Sequence, residues 1–320
     1  MNKKTKVWLI LAAFLVIAGG MIFGGVMTVL NWDFSKLSGK YETNRHQISE
    51  DFQNISIRTD TAAISFVPSP DGKCAVECYE REKVSHSVTV EDGTLVIKIK
   101  DSRRWYEYIG INFHSPKITV YLPETQYASL FIKESTGSIN IPQDFTFTSA
   151  DLTVSTGSVN FNASTMELIK IKTTTGSIRM ENVTAGELDL SASTGSITLS
   201  GVSCEGDASF HVTTGKTSLT ELSCRNLTST GSTGGISLTN VIAEGKFSIE
   251  RSTGDIYFTD CDAGEIYAQA RTGDISGSLL TEKVFIVQSD TGRIDVPKTV
   301  TGGKCELTTD TGDINIQISP

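Results

Sequence analysis

Two Asp-Thr-Gly triplets, Asp290-Thr291-Gly292 and Asp310-Thr311-Gly312, are the residues that most readily suggest chemistry. Paired triplets of this kind mark aspartic proteases, where two buried carboxylates face each other and share a proton. In this chain the same Thr-Gly corner recurs at eight more repeat positions with Ser, Thr or Arg before it. The repeat accounts for the match, and protease chemistry is not expected. The last copies carry further acids beside the pair, and Asp255, Asp274, Asp310 and Asp313 form a candidate divalent-cation or ligand site. The competing reading is a solvated edge on which Arg271 and Arg293 relieve the repulsion of stacked carboxylates.

Arg103, Arg104, Trp105, Tyr106, Tyr108 and Phe113 form the densest aromatic patch. Arginines interleaved with aromatic rings grip sugars or peptides. Such a cluster near the start of a repeat array also covers its first edge. Cys204 and Cys224 hold the same place in successive copies. If copies stack, they are close enough for a disulfide, or they pack as two small buried hydrophobes. Cys74, Cys78, Cys261 and Cys305 complete no zinc spacing, and His46, His86, His114 and His211 form no triad pattern. Phosphate-binding glycine loops are missing as well. The expectation is a non-enzyme with no cofactor and no metal beyond the weak aspartate candidates. The enzymatic alternative is a carbohydrate-active β-helix, disfavoured because coils of 19 or 20 residues leave little room for groove-building loops.

What must position these residues is the repeat. Its glycines are Gly137, Gly157, Gly176, Gly195, Gly215, Gly234, Gly254, Gly273, Gly292 and Gly312, each preceded by Thr and spaced by 19 or 20 residues. Counted from the glycine, position +2 is Ile or Val except at Thr217, and position +4 is apolar except at Gly277. Position −5 is apolar except at Ser229, and position −7 is apolar in every copy. Spacing by two on both sides of the corner means strands. One copy cannot bury its own apolar face, whereas stacked copies share a core. The fold class is therefore all-β, a parallel β-solenoid of ten coils. A ladder of antiparallel hairpins with Thr-Gly turns is the competing fold, but it does not require such uniform copies. Glycine suits a corner with positive φ. The threonine hydroxyl either caps a corner amide or stacks on its neighbours.

A worn copy lies upstream, with Ile55, Ile57, Ile64 and Phe66 around Thr61-Ala62. A hairpin is predicted at Asp92-Gly93, and a further strand at Ile118, Val120 and Leu122. Val7–Leu30 is an uncharged, mostly apolar run long enough to span a bilayer. Lys3, Lys4 and Lys6 before it predict a cytoplasmic N-terminus and an extracytoplasmic bulk. A signal peptide cut after Ala18 is the alternative. The expected organisation is a tail at 1–6, a transmembrane signal-anchor at 7–30, a stalk at 31–50, a β-rich cap with the first coil at 51–128 and the solenoid at 129–320. The chain carries a net charge of −9, and setting aside the three leading lysines leaves 25 basic against 37 acidic residues. That balance excludes a nucleic-acid binder.

The segment ISEDFQNISIRTDTAAISF, the strand KITVYLPE and the STGSI and TGDI copies together resemble the bacterial β-strand-repeat family of unknown function called putative adhesins. The resemblance covers roughly residues 45–320 and implies a membrane-anchored member. It implies a surface scaffold that binds an envelope component or a surface protein, or alternatively an accessory in cell-envelope stress sensing. It supplies no catalytic or binding residues. End-to-end self-association is expected through the C-terminal coil, whose edge no later segment covers.

Overall fold

The computed structural model describes residues 2–29, 31–32, 40–103 and 115–319. Its first element is the helix Lys3–Val29, apolar on every face after Lys6 and long enough to cross a membrane. The other regular elements among the described residues are strands.

The strands flanking a Thr-Gly corner do not pair with each other. Each pairs in parallel with its equivalent one copy away: Leu152 lies between Ile132 and Ile171, and Val159 between Ile139 and Ile178. Parallel pairing between successive copies is the pattern of a solenoid and excludes the hairpin ladder. The linking segment holds a third short strand in several coils. Ser203 there pairs with Thr184, and Ser223 with Ile242. Those coils thus have three walls, and Val202, Leu222 and Val241 on the third wall are buried.

The corner glycine is required for two reasons. Gly195 has φ 148°, and a Cβ there would lie 1.9 Å from the Gly176 carbonyl oxygen. Conformation and close stacking both demand hydrogen at this position. The Gly195 amide donates to the Thr214 carbonyl at 2.9 Å, and this bond repeats along the rod. The threonine therefore serves the corner through its backbone, while its side chain is exposed at all ten corners.

Stacking order and sequence order part company at both ends. The strand Ile256–Thr272 pairs in parallel with Gly303–Thr311, and Lys283–Thr291 lies beyond, on the far side of Gly303–Thr311. After the corner, Ile294–Asp295 lies likewise outside Ile314–Ile318. The last coil in sequence is an interior rung, and the Gly292 coil is the outermost one. Burial agrees. Cys305, Leu307, Ile314 and Ile316 are buried, whereas Ile294 is 44% exposed and Phe285, Val287 and Val296 are only half-buried. This corrects the expected location of the bare edge. The reason is that every coil offers the same registers, so the final coil can insert between the Gly273 and Gly292 coils.

At the opposite end Asn54–Thr61 sits between Thr94–Asp101 and Gln126–Thr136, and Ala63–Pro68 between Lys117–Leu122 and Ile139–Ile141. The copy at Thr61-Ala62 is thus a true coil, with a further rung outside it. Antiparallel strands close this end. Val84–Glu91 returns along Thr94–Asp101 through the Asp92-Gly93 turn, where φ is 47° and 69° as a type I′ turn needs. Cys74–Arg81 pairs with Lys117–Leu122, and Tyr41–Ile48 pairs with Cys74–Arg81. The segment expected to be a stalk therefore contributes a strand. Its polar sequence hid this role, but Tyr41 stacks on Tyr79 at 5.1 Å and the Arg45 guanidinium lies over the Tyr121 ring.

Candidate functional site

The acidic edge of the late coils is a ladder of amide acceptors. The residue after each corner glycine has an amide that points along the rod and needs a partner. In the early coils serine supplies it: Ser177 Oγ accepts from the Ser196 amide at 3.3 Å. In the late coils aspartate does the same. Asp255 Oδ1 accepts from the Asp274 amide at 2.9 Å, and Asp274 Oδ1 from the Asp313 amide at 2.8 Å. Asp313 in turn accepts the Arg293 amide at 2.8 Å and pairs with the Arg293 guanidinium at 3.2 Å. These bonds hold the Asp313 carboxyl below the usual range. Asp255, Asp274 and Asp313 thus stand in one column, each with an oxygen committed to the backbone. Asp310 stands in a different column, two residues before its glycine, and is exposed beside Asp290. Two exposed carboxylates on an outer face lack the burial of a protease dyad.

A column not read from the sequence lies three residues before each glycine and points inward. Its members include Val154, Thr173, Ala192 and Val212, and at two places it carries charge. Glu134 is 2% exposed. Its Oε1 accepts the Ala62 amide at 3.0 Å, Oε2 has no partner among the described residues, and burial pushes its carboxyl up to about 7. Arg251 is 4% exposed and reaches into the core. It donates to the Ser229 hydroxyl at 2.8 Å, the Ser229 carbonyl at 3.0 Å, the Glu250 carbonyl at 2.8 Å and the Thr217 hydroxyl at 3.4 Å. Burial lowers its pKa to about 10. Thr217 and Ser229, the polar exceptions in their apolar columns, are therefore the partners of one buried guanidinium. Gly231 leaves it room, since a Cβ there would meet Arg251 Cδ at 3.2 Å.

The cap contains a third buried polar group. Glu80 Oε2 accepts from His86 Nδ1 and from the His86 amide, both at 2.7 Å, and Glu80 Oε1 accepts from Asn44 at 2.8 Å. His86 Nε2 and Thr59 Oγ1 are 2.8 Å apart, and Cys78 completes the cluster. No sequence signal marks it, because its members come from four strands. A hydroxyl, an imidazole and a carboxylate in series match a nucleophilic relay in connectivity. All three are buried, and no substrate can reach the hydroxyl.

Cys204 and Cys224 stack in successive coils, as their shared position predicted, and both are free thiols like the other four cysteines. They continue a column of small buried residues that includes Ala185, Ala243 and Ala263. Burial pushes the Cys224 thiol up to about 12, which keeps it protonated and inert. Arg104, Trp105, Tyr106 and Tyr108 lie outside the described residues. At the far end, the Gly292 coil exposes Val284, Ile286 and Ile294 beside a strand edge with which no described strand pairs.

The family model described as Toastrack DUF4097 matches residues 52–259. Among solved structures, a putative adhesin from Parabacteroides distasonis is 12% identical, with TM-score 0.51, over 87% of this chain and 97% of its own. A putative lipid binding protein from the same species is 16% identical, with TM-score 0.51, over 87% of this chain and 97% of its own. At these identities the likeness is one of fold. None of the curated proteins matches the chain. The family model spans more than half of the 320 residues and includes the cap from residue 52 onward, the first coil and the repeat through the Gly254 coil, so the chain belongs to the Toastrack DUF4097 family.

Proposed function

We propose that this protein is a membrane-anchored, non-enzymatic scaffold that holds a rod outside the cell and binds an envelope component or surface protein at the far end. The helix Lys3–Val29 supplies the anchor, and the lysines before it favour a cytoplasmic N-terminus. The chain runs from this helix into Tyr41–Ile48, a strand of the cap, so the tether joins the capped end. At about 4.8 Å per rung the ten Thr-Gly coils extend about 48 Å from there.

The observation that carries this reading is the Gly292 coil. One end of the rod is closed by antiparallel strands, while the other leaves Phe285, Val287, Ile294 and Val296 partly uncovered beside an edge with which no described strand pairs. Solenoids normally cap such ends, and an open edge accepts an added strand. A partner that contributes an extended segment fits both the backbone edge and the apolar cross-section. Two copies meeting end to end would use the same rung. The test is capture of envelope proteins and wall polymers by the full chain in detergent, compared with the Ile286→Lys, Ile294→Lys variant. Capture lost in the variant supports the reading. Capture unchanged by the variant places binding elsewhere and overturns it.

A further inference from the structure

We propose that Cys78, Glu80 and His86 form a binding site for a thiophilic divalent cation of the zinc class within the cap. Their ligand atoms, a thiol, a carboxylate oxygen and an imidazole nitrogen, lie within 4.8 Å of one another. Cys78 and Glu80 point to the same face of the strand Cys74–Arg81, two residues apart, and His86 returns from the next strand. All three are buried, at 0%, 1% and 5% exposure.

Charge decides the class of ligand. A thiolate, a carboxylate and a neutral imidazole carry two negative charges, so a divalent cation leaves the buried site neutral. A monovalent cation would leave a net charge that the interior penalises. The mixed sulfur, nitrogen and oxygen donor set favours zinc and cobalt over calcium or magnesium, which take oxygen ligands. Without a cation the thiol stays protonated, since burial and the neighbouring Glu80 push it up to about 12. Binding releases the Cys78 thiol proton. The imidazole proton moves to Nε2, where it donates to Thr59, and Nδ1 is freed for the metal.

The surroundings match what metal ligands need. Thr59 holds one imidazole nitrogen at 2.8 Å, and Asn44 holds the carboxylate oxygen that would not bind the metal at 2.8 Å. Such outer partners orient ligands before the metal arrives. Among the described residues the Cys78 thiol has no hydrogen-bond partner, whereas the Cys204 and Cys261 thiols donate to carbonyls. The cation would tie three parts of the cap together: the hairpin that carries the ligands, the first coil through Thr59, and the strand Tyr41–Ile48 through Asn44.

Cobalt titration of the full chain in detergent tests this. One cobalt per chain is expected, with a thiolate-to-metal charge-transfer absorption that zinc abolishes by displacement. The signal should survive Cys224→Ser and vanish in Cys78→Ser, and Asn44→Ala should weaken binding by about 10- to 100-fold. No signal with the folded wild-type chain at saturating cobalt, or a signal that persists in Cys78→Ser, overturns the site. Should Cys78→Ser not fold, alkylation of the wild-type chain with peptide mapping decides. Zinc at about ten times its Kd should slow modification of Cys78 by about tenfold more than that of Cys204. Equal rates for the two thiols with and without zinc overturn the proposal.

Discussion

Asp274 Oδ1 accepts the backbone amide of Asp313 at 2.8 Å across 39 residues of sequence. Elsewhere this ladder advances by one coil at a time, as from Asp255 to Asp274 across 19 residues. The longer step skips the Gly292 coil and puts the final coil inside the stack. Removing residues 303–320 therefore removes an interior rung. Amides of Lys283–Thr291, although still in the chain, should then lose hydrogen-exchange protection along with their partner strand. A solenoid stacked in sequence order would keep them protected on Ile256–Thr272.

Glu134 should make stability depend on pH. The folded chain holds this proton up to about pH 7, and the unfolded chain releases it near 4.5. Stability from this group is therefore greatest below about 4.5 and falls as pH rises toward 7, by up to about 3 kcal/mol. The change Glu134→Gln keeps an oxygen for the Ala62 amide and removes the titration. Denaturant unfolding should show the variant more stable than wild type at pH 8 and similar to it at pH 4.

Arg251 should couple to Thr217 and Ser229. Truncation by Arg251→Ala leaves two buried hydroxyls without their partner and is expected to cost about 1–3 kcal/mol for each. Restoring the apolar pattern with Thr217→Ile and Ser229→Leu in the same chain should recover most of that loss. Strong non-additivity in thermal unfolding of the single and combined variants is the expected readout.

Corner glycines should tolerate no side chain, unlike glycines of open turns. Gly195→Ala forces a Cβ to 1.9 Å from the Gly176 carbonyl and should cost more than about 4 kcal/mol or prevent folding. Gly72 also has positive φ, at 68°, but a Cβ there meets nothing within 4 Å. Gly72→Ala should cost only about 1–2 kcal/mol, checked by the same unfolding measurement.

The apolar columns at −7, −5, +2 and +4 were legible because each copy repeats them in the same alternation. The worn coil at Thr61-Ala62 was legible for the same reason. The inserted final coil was not, because Ile314 would meet the same kind of neighbour in either stacking order. The inward column of Glu134 and Arg251 was hidden by its mixed chemistry, which ranges from Gly231 through Val154 to a full charge. Thr217 and Ser229 break the apolar pattern of the sequence because both bond the Arg251 guanidinium, a contact that strand stacking alone creates. The cluster of Thr59, Glu80 and His86 had no sequence signature, since strand pairing alone brings it together.

The order of the last rungs can be measured by cysteine cross-linking in the full chain. Ser276 lies beside Asn315 in adjacent parallel strands, with Asp295 on the far side of Asn315. Neighbouring strands are about 4.8 Å apart, within disulfide range, and a second strand is about twice as far. Under mild oxidation, Ser276→Cys with Asn315→Cys should form a bond, and Ser276→Cys with Asp295→Cys should not. A bond in the second pair and none in the first would contradict the inserted coil and move the open edge to the last coil.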